Sequence, residues 1–292
     1  MKRSHISHLL EINLAMVFIG TSGALARYVD LPVPAIIVSR AILAFFVLLA
    51  FCKWQGISLT IGSAHRGVVL LSGILMGLHW ITYFYALQWS SVAIGMLSLF
   101  TYPVLTAFLE PLLLKTKFQK IHILLAAMVL TGIYFLSPDL DFEDSNTLAI
   151  GIGVFSALCY ALRNLILKSK VNAYHGSTLM VYQTGIVGIV LLPTFFYVDF
   201  EIVLSQWKGI VALAVITTAI GHSLFLMTFK HFSITTVSIL SSIQPVYGIL
   251  IGAIFLKEIP DLSTVFGGSL ILGSVVIESF RSSKREKAIV QD

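Results

Sequence analysis

Ionisable side chains stand inside long apolar stretches of this sequence. Arg40, His79 and His222 each have mostly apolar neighbours on both sides. Such a side chain costs a few kcal/mol in a lipid environment, so it normally faces a cavity or a polar partner. Arg40 has no acidic neighbour, and its planar guanidinium group matches a carboxylate. Two roles follow for Arg40: packing between helices, or binding an anionic group of a substrate.

Aromatic and imidazole side chains accompany these ionisable residues. His79 and Tyr83 are four residues apart and share one face of a helix, with Trp80 next to them. Rings for stacking and a few hydrogen-bonding groups are what a cavity for an amphiphilic small molecule requires. The alternative is that these rings only fill contacts between helices. The predicted substrate-binding residues are Arg40, His79, Trp80, Tyr83, Tyr102, Tyr160, His222, Phe225 and Gln244.

Two prolines follow polar residues within apolar stretches, in the pairs Tyr102-Pro103 and Gln244-Pro245. Proline removes one backbone hydrogen bond of a helix, frees a carbonyl and produces a kink. We predict that Pro103 and Pro245 act in gating. A static kink, satisfied by serine and threonine hydroxyls, is the alternative.

Two further arginines, Arg27 and Arg163, lie towards the ends of apolar stretches. Long basic side chains near a helix end commonly extend to the lipid head groups. We therefore expect Arg163 to reach the head groups, and Arg27 either to do so or to pair with Asp30. Asn164 and Gln183 are subsidiary candidates for the cavity.

The elements that must position these residues are membrane helices. Of the 292 residues, 57% are hydrophobic and 11% charged, and the mean hydropathy is +0.93. Soluble domains carry roughly a quarter charged residues, so the composition excludes a soluble or disordered protein. Apolar stretches long enough to span a bilayer predict an all-α integral membrane protein with ten helices. They cover residues 9–30, 34–52, 67–87, 91–114, 121–137, 147–167, 177–198, 208–229, 233–256 and 262–280.

The basic residues predict the orientation of the chain. If the amino terminus is cytoplasmic, 14 of the 19 lysines and arginines fall in inner segments and three fall within spans. Only Lys208 and Lys257 then lie outside, together with the acidic segment 139–144. Cytoplasmic loops are enriched in lysine and arginine. We therefore predict a multi-pass protein of the cell (inner) membrane with both termini in the cytoplasm, and the net charge of +5 carries no nucleic-acid signal.

An internal repeat divides the chain. A shift of 142 residues places Pro103 on Pro245 and predicts two five-helix repeats, residues 1–140 and 141–292. Because each repeat has an odd number of helices, the second enters the membrane upside down. Inverted repeats are typical of secondary transporters, whose substrate site lies between the halves near the bilayer midplane. This arrangement predicts alternating access.

Several features together resemble the EamA-type members of the drug/metabolite transporter superfamily. They are the five-plus-five plan, the two proline stretches, the segment Ser39-Arg40-Ala41, and the run from Gly77 to Leu87 that leads into Ser90-Ser91-Val92-Ala93. The resemblance implies a substrate-translocating protein, often an exporter, with a cavity lined by helices 1, 3, 4, 6, 8 and 9. We expect export of a small metabolite, amino-acid-like or another small organic solute.

The alternative function is that of an intramembrane serine hydrolase. Gly20-Thr21-Ser22-Gly23 matches the pattern around the serine of such enzymes, which also need a histidine base and oxyanion donors. The sequence holds no phosphate-binding loop and neither of the C-x-x-C and H-E-x-x-H metal motifs. The expected partners are therefore a small-molecule substrate and the lipid bilayer, with no cofactor, no metal and no nucleic acid. A homodimer is compatible with this arrangement.

Overall fold

The computed structural model describes residues 5–114, 119–136, 144–168, 173–228, 230–231, 237, 240–241 and 243–291. These residues form helices joined by short connections, with no strand among them, which confirms the predicted all-α class. The acidic segment predicted for the outer face falls within the undescribed residues, apart from Asp144, as do residues 233–236 at the start of the ninth predicted span.

The α-helices follow one another in the order given by the apolar stretches. They are α1 (His5–Tyr28), α2 (Val33–Trp54), α3 (Arg66–Trp89), α4 (Val92–Leu99), α5 (Tyr102–Leu114), α6 (Ile121–Leu136), α7 (Ser145–Lys168), α8 (Gly176–Leu191), α9 (Phe200–Ser205), α10 (Trp207–Ala212), α11 (Ser223–Thr228), α12 (Gln244–Phe255) and α13 (Leu262–Gln291). A π-helix, Leu213–His222, joins α10 to α11.

Within the described ranges, six helical stretches are long and apolar enough to cross a membrane. They are Val33–Trp54, Ser63–Trp89, Val92–Leu113, Ser145–Leu167, Gly176–Phe196 and Trp207–Thr228. Shorter apolar helices cover Ile121–Leu136, Gln244–Phe255 and Leu262–Ile277. The chain is therefore a multi-pass membrane protein, while the count of ten spans stays a prediction.

The fourth predicted span, residues 91–114, is two helices and not one kinked helix. α4 ends at Leu99 and α5 begins at Tyr102, so that Pro103 occupies the first turn of α5. Proline is tolerated there because the first N–H groups of a helix have no partner within it. The Thr101 hydroxyl donates to the Ser98 carbonyl at 2.8 Å and satisfies one acceptor at the break. Pro245 likewise stands at the second position of α12, so each proline begins a helix.

The helices pack in pairs around a common centre. α3 lies along α7, α2 along α8, and α6 along α13, while α1 contacts both α12 and the π-helix. α7 also packs against α4 and α5. The large side chains that are most deeply buried include Trp80, Phe84, Phe100 and Phe225 together with two arginines, Arg40 and Arg163. The centre of the bundle is therefore aromatic and cationic.

Gly73 marks a close approach of α3 to α8. A Cβ atom at Gly73 would lie 2.6 Å from the Cδ1 atom and 2.9 Å from the Cβ atom of Ile186. In α7, by contrast, a Cβ atom at Gly151 would have no neighbour within 4 Å. The missing side chain thus allows α3 and α8 to touch, as expected of small residues between membrane helices.

We predict that Gly73→Ala lowers the thermal unfolding temperature of the purified protein in detergent, because the added methyl group forces α3 away from α8 at a cost of about 1–3 kcal/mol. Gly151→Ala is the matched control, and it should leave that temperature unchanged or raise it, since alanine favours a helix. Equal unfolding temperatures for the two variants would contradict the close contact.

Candidate functional site

A small cavity lies where the central helices meet. Its volume is about 20 Å³, which gives room for about one water molecule. Aromatic rings, two imidazoles and one guanidinium group form most of its wall. The lining residues are Ile19, Ser22, Arg40, His79, Trp80, Tyr83, Phe84, Leu99, Phe100, Tyr102, Tyr160, His222 and Gln244.

The structure brings the predicted site residues together. Arg40, His79, Trp80, Tyr83, Tyr102, Tyr160, His222 and Gln244 line the cavity. Phe225 stands behind this wall, with its ring centroid 6.3 Å from that of Tyr160 and the two rings stacked. The cavity includes residues from both predicted halves of the chain. Their binding of a substrate stays a prediction.

Arg40 is the most unusual residue of the wall, because its side chain is 1% exposed. Its Nη2 atom donates to Thr218 Oγ1 at 2.7 Å and to Thr217 Oγ1 at 3.1 Å, and its Nε atom donates to Thr218 Oγ1 at 3.2 Å. The guanidinium carbon also lies 4.4 Å from the ring centroid of Trp80 and 5.1 Å from that of Phe84. Every one of these partners is neutral.

The Nη1 atom of Arg40 has no hydrogen-bond partner among the described residues. The described part of the chain also places no carboxylate within ion-pair distance of this guanidinium group. A buried cation without a counter-charge is strongly disfavoured, and intramembrane arginines usually mark a substrate or ion pathway. Arg40 therefore presents an open donor and an uncompensated positive charge at the cavity.

The π-helix explains why two consecutive threonines reach Arg40. Hydrogen bonds in a π-helix run from residue i to residue i+5, and the wider turn is common at functional sites. The Thr218 hydroxyl donates to the Leu213 carbonyl at 2.9 Å, five residues back, and the Thr217 hydroxyl donates to the same carbonyl. Because each hydroxyl proton is used there, both oxygens accept from Arg40. Neither threonine was among the predicted site residues.

His79 is oriented by Ser156 from α7. The Ser156 hydroxyl donates to the backbone carbonyl of His79 at 2.9 Å, and its oxygen lies 2.8 Å from His79 Nδ1. A hydroxyl has one proton, so Nδ1 must carry the proton of this second hydrogen bond. In the neutral imidazole Nε2 is then an acceptor. The ring stacks on Tyr160 with centroids 4.6 Å apart.

Tyr102 connects the two proline segments. Its hydroxyl lies 2.8 Å from Ser241 Oγ, three residues before Gln244 at the start of α12. Its ring meets that of Tyr160 edge to face, with centroids 5.0 Å apart. The starts of α5 and α12 are thus linked through a side chain that lines the cavity.

The prediction that Arg163 extends to the lipid head groups was wrong. Arg163 does not reach lipid head groups, because its side chain is 0% exposed. The Nη2 and Nε atoms donate to Gln183 Oε1 at 2.7 and 3.2 Å, and Nη1 donates to Asn164 Oδ1 at 2.9 Å. Its guanidinium carbon lies 5.9 Å from the ring centroid of Tyr160, a residue that lines the cavity. Arg163 is therefore a second buried cation with neutral partners.

Arg27 also differs from the prediction, since it pairs with Glu258 and not with Asp30. Its Nε atom lies 2.9 Å from Glu258 Oε1, and Nη1 donates to the carbonyls of Leu87 and Gln88 at the end of α3. The other carboxylate oxygen of Glu258 accepts from the backbone N–H of Val92 at 2.8 Å, at the start of α4. We call this group of contacts the α3–α4 latch.

In the described part of the chain, the serine of the hydrolase motif has no histidine hydrogen-bonded to it. Ser22 lies on the cavity wall, but the serine that hydrogen-bonds a histidine there is Ser156, with His79. Within the described ranges Ser22 has no hydrogen bond to an imidazole. The geometry of the motif thus gives no support to nucleophilic catalysis at Ser22.

The comparisons with known proteins agree with this architecture. A family model described as the EamA-like transporter family matches residues 8–137 and again residues 147–280. The chain belongs to the EamA-like transporter family. It is therefore a membrane transport protein, and the family resemblance of the sequence is confirmed.

Similar proteins cover nearly the whole chain. The pseudopaline exporter CntI of Pseudomonas aeruginosa is 22% identical over 91% of this chain and 93% of its own. The threonine/homoserine exporter RhtA of Escherichia coli K12 is 23% identical over 94% of this chain and 90% of its own. A solved crystal structure is 18% identical, with a TM-score of 0.69 over 97% of this chain and 100% of the other, which supports the fold.

We predict that Thr218→Val destabilises the protein, because Arg40 loses two hydrogen bonds inside the bundle. Hydrogen bonds to a charged group contribute about 1.5–3 kcal/mol, so the thermal unfolding temperature should fall measurably. Thr184→Val is the matched control, since the buried Thr184 hydroxyl donates only to carbonyls of its own helix.

A double-mutant cycle isolates the contact. In an Arg40→Met background Thr218→Val should cost clearly less than in the native protein. An equal cost in both backgrounds would show that the contact between Arg40 and Thr218 does not stabilise the fold.

Proposed function

We propose that this transporter is a secondary exporter which carries a small organic solute bearing a carboxylate across the inner membrane by alternating access. The observation that carries the proposal is the open Nη1 donor of Arg40, a buried cation on a cavity wall whose described residues include no carboxylate. The relatives are named as exporters, one of threonine and homoserine and one of pseudopaline. Those names favour the outward direction.

The wall of the cavity provides a place for each part of such a solute. A carboxylate pairs with the open side of the Arg40 guanidinium group, whose other side is held by Thr217 and Thr218. Trp80 and the stacked pair of His79 and Tyr160 offer flat apolar faces for the carbon skeleton. The Nε2 atom of His79 accepts a hydrogen bond from a hydroxyl or an amine.

The cavity must widen to take up this solute. Sites for small molecules usually have volumes of about 300–1,000 Å³, whereas this cavity has about 20 Å³. The structure is therefore a contracted state of the site. Binding of the solute requires the helices around Arg40 and Tyr160 to separate, as alternating access demands.

Ten helices in two inverted repeats, residues 1–140 and 141–292, are the frame of the proposed mechanism. The double match to one family model supports the duplication. The packing of the helices also repeats when residue numbers are shifted by 142. Under this shift, the contact of α3 with α7 corresponds to the contact of the π-helix with α1. The contact of α1 with α12 has its counterpart in that of α7 with α4 and α5. Two related modules of this kind can exchange roles as one mouth opens and the other closes.

The gate at one mouth is the α3–α4 latch. With both termini in the cytoplasm, Arg27 and Glu258 lie at the outer end of the bundle. The latch joins α1, α3, α4 and the connection between α12 and α13, and these contacts support the proposal of a closed outer mouth. The helix starts at Pro103 and Pro245 supply the hinges, since proline contributes no backbone N–H and the first turn of a helix has few internal hydrogen bonds. Release of the solute requires the latch to open.

We predict that Arg40→Gln weakens the transport of carboxylate substrates at least tenfold in reconstituted vesicles, because the carboxylate loses its counter-charge. Neutral solutes of similar size should be transported as before. Arg40→Lys is the second variant, which keeps the charge without the guanidinium fork and should retain part of the carboxylate flux. Equal loss of carboxylate and neutral fluxes in Arg40→Gln would reject the selective role of Arg40.

We also predict that Glu258→Gln opens the outer mouth more often, because the amide loses the charge that holds Arg27. The readout is the labelling rate of a cysteine placed in the cavity by Ser22→Cys, with Cys52 and Cys159 replaced by alanine. A membrane-impermeant maleimide applied to the outer face should react several times faster when Glu258→Gln is added.

The matched control is Glu201→Gln, an exposed glutamate of α9 whose side chain takes no part in the latch. This variant should leave the labelling rate unchanged. If Glu258→Gln and Glu201→Gln behave alike, the latch is not a gate. If the acceleration occurs only from the cytoplasmic face, the gate stands and the predicted orientation is wrong.

A further inference from the structure

We propose that the solute crosses the membrane as a net anion and that the membrane potential alone drives its export, without a coupled proton. This inference rests on the proposed function and specifies the charge of the cargo and the source of energy. Its basis is the charge inventory of the cavity and its surroundings.

Two buried guanidinium groups dominate that inventory. Arg40 is 1% and Arg163 0% exposed, and both contact the aromatic wall, Arg40 at Trp80 and Arg163 at Tyr160. Their hydrogen-bond partners are threonine hydroxyls for Arg40 and side-chain amides for Arg163. Among the residues that the structure describes, neither guanidinium group has a carboxylate within ion-pair distance. One uncompensated positive charge therefore lies on the wall of the site, and a second lies next to the Tyr160 ring that lines it.

The imidazoles do not change the sign of this charge. His79 holds one proton on Nδ1 through Ser156, and a second proton on Nε2 would add a third cation to the same site. His222 lies against Trp80, with ring centroids 5.7 Å apart, on the same wall as Arg40. A proton added to either ring would place a further positive charge on the wall that holds Arg40, and like charges repel strongly in a medium of low polarity. A neutral state of both rings is the one that the surroundings favour.

A zwitterion fits this site less well than an anion. Its carboxylate would compensate Arg40, but its ammonium group would restore the charge excess. The described lining residues offer that group neutral acceptors, such as the Tyr102 hydroxyl and the Gln244 amide, but no aspartate or glutamate. A monocarboxylate without an ammonium group reduces the excess positive charge by one. A dicarboxylate reduces it by two. The charge inventory thus selects cargo of net charge −1 or −2.

A net anion also removes the need for a coupling ion. The interior of a cell is negative, and a potential of 100 mV shifts the distribution of a monovalent anion roughly 50-fold towards the outside. Proton-coupled transporters commonly use membrane-embedded carboxylates or histidines. The described residues that line this cavity include no aspartate or glutamate, and its two histidines share the wall with Arg40. Export driven by the potential requires neither.

The test uses the full chain in liposomes with three labelled probes of related size. They are L-threonine as a zwitterion, N-acetyl-L-threonine as a monoanion and succinate as a dianion. Potassium gradients with valinomycin impose 100 mV of either sign at constant pH. Efflux of both anions should exceed that of threonine at least tenfold. The direction of net anion flux should reverse when the sign of the potential is reversed. The concentration ratio of the monoanion across the membrane should approach about 50.

Arg163→Gln adds a test inside the protein. It removes the second charge and should lower the preference for succinate over N-acetyl-L-threonine, while Arg163→Lys should restore it. A structural role of Arg163 alone would reduce both fluxes equally and leave their ratio unchanged, which would overturn its part in selecting the charge.

The outcomes separate this inference from the proposed function. Flux of threonine that exceeds the anion fluxes, or anion flux that responds to a pH gradient and not to the potential, would overturn the net-anion inference and leave the exporter intact. Flux of all three probes at the rate of protein-free liposomes would overturn the proposed carboxylate transport itself.

Discussion

The Arg40 guanidinium group, a cation enclosed by neutral partners, is the constraint on which the centre of this bundle depends. An isolated charge in an apolar interior costs several kcal/mol, and the protein lowers that cost by two devices. The π-helix aims two threonine oxygens at one edge of the group, and Trp80 and Phe84 offer their ring faces to the charge. Neither device supplies a negative charge. The positive charge of Arg40 stays uncompensated, and this favours the binding of an anionic ligand beside it.

The α3–α4 latch differs from Arg40 because its charges are paired and partly exposed to water. Arg27 and Glu258 are 32% and 21% exposed, and a pair in such contact with water contributes only about 0–1 kcal/mol. Their backbone contacts complete the ends of α3 and α4, where N–H and C=O groups lack helical partners. A contact of this strength can close a mouth and still open within a transport cycle. A buried ion pair at the same place would hold the mouth shut, because its separation would expose uncompensated charges.

The sequence could predict the wall of the cavity because the cost of polar groups in lipid acts residue by residue. Arg40, His79 and His222 are conspicuous in apolar stretches for that reason alone. The contacts between polar side chains that are distant in sequence could not be predicted in the same way. Arg27 and Glu258 are 231 positions apart, and hydropathy says nothing about which distant side chains meet. The threonines beside Arg40 were missed because a π-helix changes which residues share a face. No local sequence pattern indicated that this segment forms a π-helix.

Tyr102 shows how occupancy of the cavity could be transmitted to the moving parts. Its ring forms part of the wall, its backbone begins α5 beside Pro103, and its hydroxyl meets Ser241 ahead of α12. A solute that enters between Tyr102 and Tyr160 must displace a ring that is joined to both proline segments. Proline supplies no backbone N–H, so the first turns of α5 and α12 are held by fewer backbone hydrogen bonds than the interiors of the continuous helices and yield before them. The proposed hinge and the proposed binding surface therefore share one side chain, so a solute in the cavity would act on both proline segments at once.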